Sequence, residues 1–568
     1  MSTVRDHLRA LYGEQLGAAT FERLRTRLER FMSPARSDRR GVVTERDALL
    51  ITYGDQLREP GVPPLQTLVN FCEQHLRDVV SGVHILPFYP YSSDDGFSVI
   101  DYLQVDPALG DWDDVARLGQ NFRLMFDGVI NHISARSAWF QAFLRDDARY
   151  RDYAIVVEGQ PDLSQVVRPR ALPLLTEFET PSGPKQVWTT FSADQIDLNY
   201  RNPDVLLDII DTLLFYATHG ADSIGAEFIR LDAIAYLWKE IGTPCIHLPQ
   251  THRVIQLLRV ILDEVAPHAL LITETNVPHR DNVAYFGDGH NEAQLVYNFA
   301  LPPLTLHTFQ TGNARILSDW AAGLNLPSKE VTFFNFLASH DGIGLNPARG
   351  ILSEAEIVAL VDRVAARGGL VSYKHNADGS RSPYELNINY FDALDDPNRD
   401  ESLEVQIDRF MAAHAIMFAL TGVPGIYFHS LFGSRGWPEG VMLTGHNRTL
   451  NRQKFERVDV ERALLDPQSR QNRIFRRLKQ LLMARARSRA FDPHGEQRVL
   501  EFSDQVFAVQ RHAADEVVLC LHNVSRQPQA VQLAAPWLAA HDLITARPVT
   551  CDATGRLVLA PYQVIWAR

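Results

Sequence analysis

Three carboxylates stand just beyond apolar, strand-like runs: Asp232 after Phe228-Ile229-Arg230-Leu231, Glu274 after Leu271-Ile272-Thr273, and Asp341 in Ser339-His340-Asp341. If the strand that carries Arg230 continues through Asp232, the two side chains share a face, because strand side chains alternate with period two. A cation at that spacing favours the ionised carboxylate. An ionised, oriented aspartate is what a nucleophile in glycosyl transfer must be. A structural ion pair at a strand end explains the same spacing. Retaining glycoside chemistry adds an acid/base carboxyl about 5–5.5 Å from the nucleophile. Glu274 suits that part, since partial burial after an apolar strand raises its pKa and lets it donate a proton. Asp341 is placed to bind sugar hydroxyls and stabilise developing positive charge, although an aspartate after a strand also serves as a helix cap.

These residues need strands to hold them. Apolar runs at 48–53, 83–88, 122–130, 221–232, 268–273, 293–298, 331–337 and 425–428 alternate with helical material. Eight βα units predict an α/β protein built on a parallel (β/α)8 TIM barrel, in which chemistry sits at the C-terminal strand ends. The polar clusters fall there: Asp94 and Asp95 after the second strand, Asn131-His132 after the third, Asp232, Glu274 and His340-Asp341 after the fourth, fifth and seventh. The barrel is expected to span 46–133 and 202–490, with an inserted domain at 134–201 and a second inserted loop region at 345–395. Residues 1–45 read as a helical extension, with Leu8, Leu11, Leu16, Phe21, Leu24, Leu28 and Phe31 at helical spacing. Short alternating runs such as Val506–Val509 and Val517–Cys520 predict a small antiparallel β domain over 491–568.

Composition bounds the function. The 568-residue chain has a formal charge of -13 and no basic cluster, which argues against a nucleic-acid partner. No apolar run approaches the ~20 residues of a membrane span, and the charged N-terminus lacks a signal-peptide core. Cys72, Cys245, Cys520 and Cys551 are scattered without metal or disulfide spacing. A cytoplasmic enzyme that handles small molecules is the expectation, and a homodimer is left open.

The segments Asp127-Gly128-Val129-Ile130-Asn131-His132, Phe228-Ile229-Arg230-Leu231-Asp232, Thr273-Glu274 and Ser339-His340-Asp341 resemble the four signature regions of the α-amylase family. The stretches Leu50–Asp55, Asp94-Asp95-Gly96-Phe97, Gly225-Ala226-Glu227 and His340-Asp341-Gly342-Ile343-Gly344 resemble, more narrowly, its sucrose phosphorylase subfamily. The resemblance runs from about residue 46 to the C-terminus. It implies Asp232 as nucleophile, Glu274 as acid/base and Asp341 as transition-state stabiliser, with His132, Arg230 and His340 around the glucosyl unit. It also implies Asp94 on the far glucose hydroxyls, Phe97 as an aromatic platform, and Gln195 and Tyr236 on the acceptor side. The family reaction passes through a glucosyl-aspartate resolved by phosphate, with a sugar and phosphate as small-molecule partners and neither metal nor organic cofactor.

Phosphate requires fixed positive charge, for which arginine is suited. Arg170 and Arg452 match subfamily arginines, whereas Arg168 and Arg448 fit a surface position as well as a role. Glu385, in Pro383-Tyr384-Glu385, stands where sucrose-specific members have glutamine. With Arg168–Leu175, Asn447–Arg452 and the N-terminal extension, it makes the chain look more like the branch of the subfamily that acts on glucosylglycerate. Tyr384 and Glu385 are thereby candidate acceptor contacts. Sucrose, its 6'-phosphate and, with water as acceptor, simple hydrolysis are the competing readings. A non-catalytic sugar-binding protein is disfavoured because all three carboxylates are present.

Overall fold

The eight apolar runs become eight parallel strands: β1 (Leu49–Thr52), β2 (Gly82–Ile85), β3 (Arg123–Gly128), β4 (Phe228–Leu231), β5 (Leu270–Thr273), β6 (Leu295–Tyr297), β7 (Thr332–Asn335) and β8 (Val423–Tyr427). They close into a barrel in sequence order, β8 pairing with β1. The computed structural model describes residues 2–32, 40–170, 172–219, 225–375, 380–395 and 400–568. Every barrel-strand residue except Arg123 is buried. That is why these runs read as continuously apolar rather than alternating: helices cover the outside and side chains fill the inside.

The fourth strand is shorter than the sequence reading. Gly225 and Ala226 donate to Ala217 and Tyr216 carbonyls at the end of the helix Pro203–Thr218, at 3.1 and 2.8 Å. A Cβ at Gly225 would lie 2.0 Å from the Tyr216 carbonyl oxygen, so only glycine lets the chain pass there. The rest of that expected strand, 221–224, lies outside the described residues.

The N-terminal extension forms two helices, Ser2–Tyr12 and Glu14–Leu28; in the rest of the helical stretch read from the sequence to 45, the described residues 29–32 and 40–45 are not helical, and 33–39 lie outside the described residues. Among the described residues next to the barrel, Asp47 accepts from the Thr44 amide at 2.7 Å, and Gly41 donates to Pro267 at 2.8 Å. Val4, Leu8, Phe21 and Leu24 are buried, and Arg27 bonds Asp208 and Asp211 on the helix Pro203–Thr218 at 2.7 and 2.9 Å. Leu16 instead faces solvent.

Two excursions rise over the C-terminal strand ends. In the first, a hairpin (Leu175–Phe178 with Lys185–Trp188) is followed by Gln195–Asp197, which pairs antiparallel with His132–Ser134. A buried ammonium pins it: Lys239 Nζ contacts Asp197 and donates to Asn131 Oδ1 at 2.8 Å. In the second, Ile343–Gly344, Arg381–Asn387 and Leu370–His375 form a three-stranded sheet. Residues 376–379 of this excursion lie outside the described residues.

At the opposite end, Glu496–Ser503, Val506–Ala513, Glu516–Asn523 and Val564–Ala567 form a four-stranded antiparallel sheet. A buried arginine on this sheet, Arg511, reaches the barrel, and a second, Arg485, ties the helix Arg470–Ala486 to the barrel strand ends. Arg511 donates to the Ala419 and Asp492 carbonyls at 3.0 and 2.7 Å, and Arg485 to those of Asp47 and Gly422 at 3.1 and 3.0 Å. A buried guanidinium is tolerated because carbonyl oxygens replace its hydration. Among the described residues, no helix is long and apolar enough to cross a membrane.

Candidate active site

Strand register brings the first two carboxylates together. Leu231 of β4 pairs with Thr273 of β5, so the next residue on each strand, Asp232 and Glu274, emerges side by side on adjacent strand ends. Arg230 Nη1 donates to Asp232 Oδ1 at 2.8 Å and to Asp127 Oδ1 at 2.5 Å, while Nη2 stands 3.7 Å from Glu274 Oε2. Asp127 is directly opposite Arg230 across the β3–β4 pair, and its other oxygen meets His84 Nε2 of β2 at 2.7 Å. The Arg230–Asp232 pair read from period-two spacing therefore exists, and it continues into the barrel as a chain of buried charges.

Ala233 follows in the left-handed region, at φ 49°, unusual for a residue with a Cβ. The turn aims the Ala233 amide at Glu274 Oε2, 2.9 Å away. The strained residue thus orients the second carboxyl against the first.

Asp341 caps no helix; it leads into the short strand Ile343–Gly344. Arg448 Nη1 lies 2.6 Å from its Oδ1, and Asn451 donates to its carbonyl at 3.1 Å. Arg448 also grips Glu385 with two bonds, of 3.0 and 2.7 Å. Asp94 takes Arg170 at 2.8 Å. Asp94 and Asp95 both have positive φ, 53° and 49°, which turns the loop after β2 back over the cavity. His132 contacts the Phe97 carbonyl through Nε2 at 2.9 Å, and Gln195 donates to that carbonyl at 3.1 Å. The Phe97 ring stacks on His340, with centroids 4.7 Å apart and planes within 3°.

Burial and charge divide the protons. Burial pushes Glu274 up to about 8, against Arg230, with Asp232 and Asp341 adding repulsion. Burial also raises Asp232, opposed by Arg230 and His132. The hydrogen-bonded partner of Arg230 is Asp232, so the proton resides on Glu274. Asp341 is buried too, yet Arg448, His340 and Arg452 hold it well below the ordinary carboxylate range. Burial lowers His340 to about 3, leaving it neutral. A protonated carboxyl beside an ionised one is the division of labour that an acid and a nucleophile require.

The residues named from sequence converge. Asp94, Phe97, His132, Arg170, Gln195, Asp232, Tyr236, Glu274, His340, Asp341, Tyr384 and Glu385 all line one cavity of about 80 Å3. Arg230 lies beneath it, 1% exposed. Arg452 corrects the sequence reading. It lies behind the wall, its Nε donating to the His340 carbonyl at 2.8 Å and its Nη1 to Asp95 at 2.6 Å. Arg448 faces the cavity in its place. Arg168 turns to the Leu172 carbonyl and does not line it. Phe191, Asn276 and Phe299 also line it without having been singled out. Phe299 and Asn276 follow the sixth and fifth strands by two and three residues, so their strand-end positions were the available signal.

Gly342 and Gly344 explain how Glu385 reaches the cavity. Gly344 pairs with Glu385, and a Cβ on Gly342 would stand 2.6 Å from both Glu385 Cγ and the Leu386 carbonyl oxygen. Gly342→Ala is expected to keep the barrel folded but to move Tyr384 and Glu385 away from the other cavity residues, lowering turnover at least tenfold. Circular dichroism together with steady-state rates checks this; wild-type rates in the variant would contradict it.

The α-amylase catalytic domain family matches residues 75–342, and an immunoglobulin-like domain described for the C-terminus of D-apionate lactonase matches 504–567. The glucosylglycerate phosphorylase of Allomeiothermus silvanus is 52% identical over 565 residues, covering 99% of this chain and 98% of that protein. The Escherichia coli glucosylglycerate phosphorylase is 46% identical, covering 100% and 99%. The crystal structure of sucrose 6F-phosphate phosphorylase from Thermoanaerobacter thermosaccharolyticum superposes with a TM-score of 0.73 at 26% identity, covering 85% of this chain and 95% of that one. The chain belongs to the α-amylase family, within its sucrose phosphorylase subfamily.

Proposed function

We propose that this chain is a retaining α-glucosyl phosphorylase that interconverts 2-O-α-glucosyl-D-glycerate and phosphate with α-D-glucose 1-phosphate and D-glycerate. The observation that carries this reading is the arrangement of two arginines, Arg170 and Arg448, on the wall of the cavity that holds the Asp232–Glu274 pair. The reaction alternates a phosphate and a carboxylate-bearing alcohol at one acceptor position, and both need guanidinium partners. The near full-length identity to glucosylglycerate phosphorylases supports glycerate as that alcohol. The free thiols of Cys72, Cys245, Cys520 and Cys551 suit a cytoplasmic setting.

In the first step Arg230 holds Asp232 Oδ1, and Oδ2 attacks the anomeric carbon. Glu274 gives its proton to the glycosidic oxygen, the C1–O bond breaks, and glycerate leaves. His132, Asp94 and Phe97 surround the glucosyl ring, and ionised Asp341 stabilises the oxocarbenium-like charge. The ester at Asp232 is neutral, so its repulsion of Glu274 disappears and the Glu274 pKa falls. Glu274 then serves as the base: it takes the proton from phosphate as a phosphate oxygen attacks C1 and the C1–Oδ2 bond breaks. Two inversions give the α-phosphate. Arg448 is engaged by Glu385 and Asp341, so an incoming anion competes with Glu385 for it. Glu385 thereby sets how strongly the acceptor position attracts negative charge.

Phosphate release from glucose 1-phosphate, measured with D-glycerate, D-fructose, fructose 6-phosphate and glycerol in turn, tests the acceptor. Glycerate is expected to give the fastest release, and a faster rate with fructose or its phosphate would overturn the glycerate assignment. The pH dependence follows from Glu274. Its proton is required to form the glucosyl-enzyme and is lost as pH rises through about 8. The kcat/KM for glucosylglycerate, which reports that half-reaction, is therefore expected to be level below this value and to fall about tenfold per unit above it. A profile still level at pH 10 would assign the proton elsewhere.

A further inference from the structure

Behind His132 lies a buried ammonium that the reaction steps do not use. Lys239 contacts Asp197 and donates from Nζ to Asn131 Oδ1 at 2.8 Å. Asp197 stands there because it pairs with His132 across the antiparallel ladder of the first excursion. It also accepts from the Thr190 amide and hydroxyl, at 2.6 and 2.8 Å. Lys239, Asn131, His132 and Asp197 are all buried, so each polar hydrogen among them must find an acceptor.

Donor and acceptor identities leave one arrangement of protons. An ammonium only donates, and a carboxylate only accepts. Lys239 therefore takes the Asn131 oxygen. The Asn131 amide nitrogen turns to Asp197, 3.2 Å away, and to His132 Nδ1, 3.1 Å away. A flipped amide would set nitrogen against ammonium and oxygen against carboxylate. Because the amide nitrogen only donates, His132 Nδ1 must accept, and the ring proton lies on Nε2. The other side of the ring agrees: Nε2 meets an acceptor, the Phe97 carbonyl, at 2.9 Å. Gln195 Nε2, 3.3 Å from His132 Nε2, directs its hydrogens to that carbonyl at 3.1 Å and to Asp94 at 3.4 Å. A second ring proton would face the Asn131 hydrogens.

Charge points the same way. Burial holds His132 below its ordinary pKa, while Asp232 at the end of β4 and Asp197 in the excursion favour its protonation. Lys239 opposes those two carboxylates.

We propose that Lys239 is a positioning residue for catalysis, which acts through Asn131 to keep His132 neutral with its proton on Nε2. This role deepens the proposed glucosyl transfer, and its effect on rate rests on that reading. Positive charge develops at the anomeric carbon in that reaction, and an imidazolium on the wall of the same cavity would oppose it.

Nitrogen-15 NMR of the full-length protein labelled at histidine tests this, with the His132 signals assigned by their loss in His132→Gln. At neutral pH, wild type is expected to show a neutral His132 ring protonated at Nε2. A proton on Nδ1, or on both nitrogens, overturns the proposal whatever the substrate. Lys239→Met separates positioning from packing. Losing the cation raises the His132 pKa, so the same spectra are expected to show the second ring proton binding at higher pH than in wild type. The acid limb of kcat/KM for glucosylglycerate should move up with it, falling about tenfold per unit, while the alkaline limb stays at about 8. A His132 titration unchanged by the substitution overturns the proposal, and so does an acid limb that stays while the titration moves. Should Lys239→Met fail to fold, Asn131→Asp decides, since it sets an acceptor before Nδ1 at unchanged size. A proton gained at Nδ1 supports the network, and a ring still protonated at Nε2 alone overturns it.

Discussion

One guanidinium holds the catalytic centre together. Arg230 is 1% exposed and meets three carboxyl groups: Asp127, Asp232 and, at longer range, Glu274. Removing an arginine from water costs several kcal/mol unless its donors are matched, and the same holds for each carboxylate. The solution binds strands into a unit. His84 on β2 steadies Asp127 on β3, Asp127 steadies Arg230 on β4, and Arg230 orients Asp232 and neighbours Glu274 past β5. Burial works against the Asp127 charge, but His84 and Arg230 hold that carboxyl below its ordinary pKa. The barrel thereby supplies a fixed charge from which two chemically identical groups acquire opposite protonation states.

A second tier of alternating charge stands above it. Arg448 joins Asp341 to Glu385, Arg452 joins Asp95 to the His340 backbone, and Arg170 meets Asp94. These pairs come from outside the barrel strands, and they draw the loop after β2, both excursions and residues 447–452 into one wall. They explain why Asp341 stays ionised while Glu274, similarly buried, holds its proton: arginines crowd the first, and carboxylates crowd the second. The same tier also connects catalysis to acceptor choice. An anionic acceptor enters a network whose arginines are already matched, so its binding is an exchange of partners rather than a simple attraction.

How much of this was legible in the sequence depended on how locally each feature is encoded. The barrel strands are buried on both faces, so each left a mainly apolar run without period-two alternation. The catalytic carboxylates sit within a few residues of those runs. The Arg230–Asp232 pair was legible because two residues on one strand set it. The start of β4 was misread because Gly225 bonds a helix end, a contact with residues 216 and 217 that no local pattern reveals. The preference for Arg452 over Arg448 has a similar cause. They lie four apart in one short segment, and which of them faces the cavity depends on Asp95 and Glu385, distant in the chain. The helical reading failed at the described residues 40–45, where the tertiary hydrogen bond of Gly41 and the Asp47 turn outweighed propensity.

The account rests on a covalent bond between Asp232 and the anomeric carbon, and trapping that bond tests it most directly. A fluorinated glucosyl fluoride, whose electron-withdrawing ring slows the second step more than the first, should accumulate the glucosyl-enzyme. Digestion and mass spectrometry are expected to find the sugar on the peptide bearing Asp232, and added phosphate is expected to release it as the α-phosphate. A label on any other residue, or release as the β-phosphate, would contradict the double displacement at Asp232.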